Sequence, residues 1–218
     1  MKTLFILNVA PYGDERSYNG LRLAAALSKH EGAEVRVFLM ADAVACAKAG
    51  QTTIMGTAGA DVIVGSDAGE SIDGGGGDDT ICAGAGDDTV RGGAGNDVVR
   101  GALGRDRLSG GAGNDTVRGD AGNDVIRGGT GRDKLFGDAG NDTVRGDGGN
   151  DSVRGGAGRD KVYGDPGNDT VKGDAGNDTV QAGAGSDRAD CGAGRDSALL
   201  DSSDTPRGCE SIRRTSTY

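Results

Sequence analysis

The chain has 218 residues, with 34 Asp or Glu against 24 Lys or Arg, a net charge of −10 and 44 glycines. It has no Trp, three Phe and four Tyr, too few large side chains for a conventional bulky core. The acidic balance argues against nucleic acid and anionic membrane as partners and for cations, and no run approaches the roughly 18 apolar residues of a membrane span.

Charge and glycine are unevenly placed. Residues 1–51 hold 4 glycines and a net charge of +1, whereas the remaining 167 residues hold 40 glycines and a net charge of −11. In the first stretch, Thr3–Leu7 is a short apolar run that reads as a strand. It is too short for a signal peptide, is followed by Asn8 and Pro11, and has no small-residue cleavage site after it. Ser17 caps a predicted helix through Lys29, with Leu21, Ala24, Ala25 and Leu27 on its apolar stripe. Val35–Leu39 reads as a second strand and Ala41–Ala49 as a second helix closing at Gly50. A β-α-β-α order opens a parallel α/β sheet.

The segments MKTLFILN, PYGDERSYNGLRLA and EVRVFLMADAVACAKAGQ resemble the DsrE-like sulfur-relay family over residues 1–51, which is a partial domain of that family. The resemblance implies persulfide chemistry on a cysteine. Cys46 is the single cysteine of this stretch and reads as a small buried helix residue. Two strands cannot cover both faces of a parallel sheet, so residues 1–51 are expected to be a truncated, non-catalytic α/β fragment.

From Gly56 to Leu199 one nine-residue phrase is repeated sixteen times, as in GGAGNDTVR (Gly110 to Arg118) and GDAGNDVIR (Gly119 to Arg127). The phrase is G-x-x-G-x-D-x-U-x, where U is aliphatic. Such a period marks a solenoid, because each unit can bury its apolar residue only against its neighbours. The glycines supply positive φ in a turn, and Asn at the fifth place is expected to tolerate a left-handed backbone. The last three residues are expected to form a strand with the eighth pointing inward, from Ile63 and Ile72 through Val171 and Val180. Two units then make one coil. The predicted fold is an all-β parallel β-roll, a β-helix-like solenoid of about eight coils, preceded by a short α/β (βαβα) fragment. The expected division is residues 1–51, the roll at 52–199, and a C-terminal tail or cap at 200–218.

One aliphatic per nine residues is too little apolar burial to offset the ordering of nine residues of backbone. The sixth-place carboxylates must therefore contribute. Asp79, Asp88, Asp97, Asp106, Asp115, Asp124, Asp133, Asp142, Asp151, Asp160, Asp169, Asp178 and Asp187 would stack turn upon turn. Stacked like charges repel, and a hard cation between turns converts that repulsion into cross-links through carboxylate and carbonyl oxygens. Six to eight oxygens in flexible geometry suit Ca²⁺ better than Mg²⁺.

The phrase resembles the repeats-in-toxin (RTX) calcium-binding nonapeptide over residues 56–199. That resemblance implies calcium ions between turns at both edges of the roll, the thirteen aspartates as metal ligands, no enzymatic activity, and an extracellular setting. The DsrE-like fragment implies a cytoplasmic one instead. Departures fall at the ends: Glu70 replaces Asp in the second unit, and Ala189 and Ala198 take the inward place in the last two, so calcium is least expected at the two extremities. Units with Arg at the fifth place begin at Gly101, Gly128 and Gly155; Arg105, Arg132 and Arg159 are either partial counter-ions to their Asp or solvated charge.

With no C-x-x-C pair, sulfur ligation of a metal is not expected. Cys191 and Cys209 bracket the last unit and tail, and are either a disulfide in an oxidising compartment or two reduced thiols. An ice-binding or lectin face would need a uniform ladder, but the seventh places run Thr80, Thr89, Val98, Arg107, Thr116, Val125, Lys134.

Overall fold

The computed structural model describes residues 4–5, 37–38, 44–46 and 53–215. Its strands are β1 (Leu4–Phe5), β2 (Val37–Phe38), β3 (Val44–Cys46), β4 (Thr53–Met55), β5 (Val62–Val64), β6 (Ser71–Gly76), β7 (Thr80–Ala85) and β8 (Thr89–Ala94). There follow β9 (Val98–Leu103), β10 (Arg107–Ala112), β11 (Thr116–Ala121), β12 (Val125–Thr130), β13 (Lys134–Ala139), β14 (Thr143–Gly148) and β15 (Ser152–Ala157). The series closes with β16 (Lys161–Pro166), β17 (Thr170–Ala175), β18 (Thr179–Ala184), β19 (Arg188–Asp190), β20 (Ser197–Leu200), β21 (Thr205–Arg207) and β22 (Ser211–Arg214).

Successive strands alternate between two parallel sheets. Even-numbered strands from β2 to β22, together with β1, make a 12-stranded sheet, and odd-numbered strands from β3 to β21 make a 10-stranded one. Within the repeats each residue pairs with the residue 18 positions on, as in Val117 with Leu135 and Leu108 with Ile126. Two nonapeptides therefore make one coil, and the solenoid has about 9 turns. The expectation of eight is low because the stacking starts before the first complete phrase, with Ile54 of β4 already at the inward place and paired with Ile72.

The eighth-place aliphatics form a single column-like core, from Ile54 through Val180 to Ala198. Strand alternation puts their neighbours outside, and the burial pattern of β9 is exposed, buried, exposed over Val98–Arg100. The strands are six residues long through the middle of the array, whereas three were expected. They continue through the first three places of the following unit, as Thr116–Ala121 shows. The first-place glycine stays extended and forms a second inward position. There the absence of a Cβ matters, because a Cβ on Gly119 would overlap Asp124 Oδ2 and stand 2.7 Å from the Gly137 carbonyl oxygen.

The amino-terminal expectations fare unevenly. β1 and β2 lie inside the two predicted strands and pair in parallel, Leu4 with Val37 and Phe5 with Phe38. The Ser17–Lys29 helix falls outside the described residues. Of the Ala41–Ala49 helix, Val44–Cys46 is instead strand β3, paired with Val62–Val64 of β5. The open edge of a sheet offers a row of unpaired N–H and C=O groups, and pairing to that template outweighs an alanine-rich helix too short to be stable by itself. No helix among the described residues is long and apolar enough to cross a membrane.

Candidate metal centre

The thirteen predicted aspartates stand in two columns, one on each edge of the roll. Asp79, Asp97, Asp115, Asp133, Asp151, Asp169 and Asp187 form the first, and Asp88, Asp106, Asp124, Asp142, Asp160 and Asp178 the second. All thirteen are buried, with 0–3% of their surface exposed. Each offers Oδ1 to the backbone N–H of the sixth-place acid one coil earlier: Asp97 N–H donates to Asp115 Oδ1 at 2.8 Å, and Asp106 N–H to Asp124 Oδ1 at 2.9 Å. Each aspartate carbonyl accepts from the strand residue one coil later, as in Thr116 N–H to Asp97 O at 2.8 Å.

The second oxygen is different. Oδ2 of every one of the thirteen is buried without a hydrogen-bond partner. A buried polar atom left open costs roughly 1–3 kcal/mol, more if it is charged, and here the cost recurs at each turn. Burial accordingly raises these carboxyls, with neighbouring carboxylates adding to the rise and the backbone hydrogen bond opposing it. Asp79, Asp88, Asp115, Asp124, Asp133 and Asp178 are pushed up to about 6. Asp142 and Asp169 reach about 7. Asp97, Asp106, Asp151, Asp160 and Asp187 move the same way, chiefly through burial.

The other oxygens of the turn are main-chain. At the fourth place the backbone takes positive φ, 134° at Gly113, and the carbonyl of Gly95 in the preceding coil aims at the Gly113 Cα, where a Cβ would fall onto it. Among the described residues no three His, Cys, Asp or Glu side chains converge into a ligand set by themselves. An ion here would be held by carboxylates together with turn carbonyls, a hard, oxygen-only donor set of the kind Ca²⁺ takes. An orphaned buried carboxylate oxygen at every turn fits such an ion.

Three further arrangements were not anticipated. The fifth-place asparagines are absent from the residues with positive φ, and the non-glycine residues there are second-place Ala102, Asp120, Asp138, Asp147, Asp165 and Asp174. Asparagine instead builds a ladder, Asn114 N–H donating to Asn96 Oδ1 at 2.9 Å and Asn141 N–H to Asn123 Oδ1 at 2.7 Å. Second, of the two readings left open for the fifth-place arginines, that of counter-ions to their own Asp is not the one seen. Arg105 pairs with Asp87 rather than a sixth-place carboxylate, and Arg132 and Arg159 donate their backbone N–H to Asn114 and Asn141. The ninth-place arginines instead reach second-place aspartates twenty residues on: Arg100 to Asp120, Arg118 to Asp138, Arg127 to Asp147, Arg145 to Asp165 and Arg154 to Asp174. The spacing of basic ninth and acidic second places carried that signal.

Third, the end units bring donors of their own to their acids, to both oxygens of Glu70 but to one oxygen of Asp61, whose Oδ1 stays buried without a partner. Thr57 gives its N–H and hydroxyl to Asp61 Oδ2 at 2.6 and 2.9 Å, and Ser66 gives the same two groups to Glu70. Glu70 still accepts its place in the column, its N–H donating to Asp88 Oδ1 at 2.7 Å. At the other end Asp204 accepts from Asp187 N–H at 3.1 Å and from Asp201 N–H at 2.6 Å. Asp196 was outside the predicted set, yet it also has an open, buried Oδ2.

Against known proteins, residues 48–81, 73–108, 100–135, 127–162, 136–171 and 163–198 match the family model described as RTX calcium-binding nonapeptide repeat (4 copies). Residues 1–58 match that of the DsrE/DsrF-like family. Protein YchN of Escherichia coli (strain K12) is 47% identical over 51 residues, which is 23% of this chain and 44% of that relative. The YchN proteins of Escherichia coli O157:H7 and Shigella flexneri match to the same extent. The chain thus spans less than half the length of these curated relatives.

Proposed function

The chain belongs to the RTX calcium-binding nonapeptide repeat family, and from that premise we propose that it is a structural module whose roll folds when Ca²⁺ binds between successive turns. The family's repeats bind calcium, so several ions are involved. In this reading Asp79 through Asp187, every nine residues, supply the carboxylate ligands, with turn carbonyls completing the set. Calcium provides the charge that stacked carboxylates lack. The residues themselves do the positioning: Oδ1 is fixed by the neighbouring coil's N–H, which leaves Oδ2 free to turn to the ion.

The observation that carries the reading is the buried Oδ2 without a partner at every one of these turns. Sites of the millimolar class would leave the chain unfolded where calcium is scarce and folded outside cells. The Cys191–Cys209 disulfide supports the same compartment. Residues 52–199 are proposed as the calcium module, 200–218 as its cap, and 1–51 as a partial DsrE-like fragment without catalytic function of its own. Far-UV circular dichroism with and without several millimolar Ca²⁺ tests this: strand signal should appear with calcium and vanish with chelator, and a spectrum indifferent to both would refute it.

The DsrE-like match favours one alternative, a sulfur-relay protein carrying an appended calcium array. Persulfide on Cys46 after incubation with a sulfur donor would support it.

A further inference from the structure

The carboxyl-terminal end of the roll is closed by strands that bring almost nothing to its core. β21 pairs with β19 and β22 with β20, so the two together cover the last open edge of both sheets. Yet from Thr205 to Thr215 every side chain is exposed except Cys209, which packs against the core cluster. Its partner, Cys191, is fully buried at the first place of the last unit, where most units carry glycine. The bond closes a separation of 18 residues, one coil. Just inside it the inward residues shrink to Ala189 and Ala198, so the core is thinnest where the cap must attach.

The remaining attachments are hydrogen bonds: main-chain ones such as Thr205 N–H to Asp187 O at 2.8 Å, Cys191 N–H to Arg207 O at 2.9 Å, Ser211 N–H to Asp196 O at 3.1 Å and Thr215 N–H to Leu200 O at 2.8 Å, and a few involving exposed side chains, among them Asp196 N–H to Glu210 Oε2 at 2.8 Å and the Thr205 hydroxyl to Asp187 O at 3.1 Å. Peripheral strands held by exposed hydrogen bonds without buried side chains open locally at little cost. The covalent link is therefore what keeps them seated.

We infer that the cap is redox-gated: oxidation of Cys191 and Cys209 locks the last coil closed, and their reduction releases residues 205–215 and opens the edges of β19 and β20. The lock forms by thiol–disulfide exchange with a disulfide oxidant. Cys191 and Cys209 lose two electrons and two protons, one S–S bond forms between them, and the oxidant's S–S bond is cleaved to two thiols. The roll would then need two signals for complete closure, calcium along its length and an oxidant at its end.

This inference rests on the calcium-folded roll proposed above, and the experiment separates the two. Amide hydrogen exchange is followed on the full chain in saturating Ca²⁺, with and without a phosphine reductant. In the reduced chain, amides of β19–β22 should exchange on the order of 100-fold faster, the scale of loop-closure entropy for such a ring, while those of β10–β14 keep their protection. Cys209→Ser should reproduce the reduced pattern without placing a hydroxyl in the core, as Cys191→Ser would. Equal exchange of β19–β22 in the oxidised and reduced chains would overturn the gate while leaving calcium folding intact. Absence of protection anywhere in calcium would overturn the calcium reading instead.

Discussion

The middle of the roll and its two ends treat the same carboxylate in opposite ways. In the middle, Asp115 accepts from the Asp97 N–H with one oxygen and keeps the other buried and open. At the amino-terminal end, Asp61 and Glu70 are met by the hydroxyls of Thr57 and Ser66 at the second place of their own units. At the carboxyl-terminal end, Asp204 uses both oxygens on backbone N–H groups. A hydroxyl at the second place, with the N–H of the same residue, engages both oxygens of Glu70 and one of Asp61, and every unit from Gly74 to Leu199 has Gly, Ala or Asp there instead. Glu70 and Asp204 thus show that an open oxygen is avoidable, whereas Asp61 Oδ1 and Asp196 Oδ2 stay buried without a partner like those of the middle. In the proposed reading Glu70 and Asp204 stand without an ion, and the open carboxylates between them receive one.

That contrast can be broken most forcefully at the fourth place. Gly113→Ala puts a Cβ onto the Gly95 carbonyl at a φ of 134°, whereas Gly59→Ala meets nothing nearer than Thr57 Oγ1 at 3.9 Å. Urea unfolding in saturating calcium should show a loss of about 3 kcal/mol or more for the first and under about 0.5 kcal/mol for the second. Equal losses would mean that the middle and end turns are packed alike.

Next in size is the carboxylate itself. Asp124→Ala removes a proposed cation ligand and the acceptor for Asp106 N–H, so the calcium-loaded roll should lose about 2–4 kcal/mol and titration calorimetry should count fewer ions. Thr57→Val leaves Asp61 short of a donor and should cost about 1–2 kcal/mol with no change in the ion count.

The response to pH should also divide the molecule. Mid-array carboxyls are raised by burial to about 6 or 7. Between the ordinary carboxylate value and that range the folded chain binds more protons than the unfolded one, so metal-free stability falls as pH rises across the window and is greatest below it. In chelator, circular dichroism should show more strand near pH 4 than at pH 7.5, and calcium affinity should climb over the same interval. Asp201 in the cap is held low by hydrogen bonds from Ser203, so its contribution runs the other way and is lost on acidification below the ordinary value. Parallel acid responses of cap and middle in hydrogen exchange would contradict the division.

The smallest effect concerns the Arg118–Asp138 pair, which is partly exposed and belongs to a backbone with φ of 69°. Asp138→Gly loses a pair worth about 0–1 kcal/mol and relieves the left-handed residue, for a net change near zero. Asp138→Ala keeps the strain and should lose about 1 kcal/mol by thermal melting.

Much of this was written in the nonapeptide. The period of nine, the inward aliphatic and the sixth-place Asp gave the coil, its core and both columns of carboxylates, because identical units stacked in parallel have to place identical residues together. Glycine hid the rest. The first-place Gly is needed for empty space beside Asp Oδ2 and the fourth-place Gly for positive φ, yet both are the same letter. Strands were therefore expected to stop where they in fact continue. The asparagine ladder was invisible for another reason: Asn123 acquires a donor only when Asn141 is laid beside it one coil later. Local propensity gave Val44–Cys46 to a helix because the edge of β5 that claims it is not local.

The two sheets obey one set of rules, with eighth-place aliphatics inward and partners 18 residues away on both. An insertion of nine residues would exchange the sheets for everything downstream and still leave each contact chemically equivalent. A single inserted residue would turn the aliphatics of its strand outward and misalign the carboxylates of its turn. Length is consequently a free variable in steps of one unit, while the reading frame of those units is fixed. Natural variation among such chains should therefore be sought in the number of nonapeptides rather than in the loops between them.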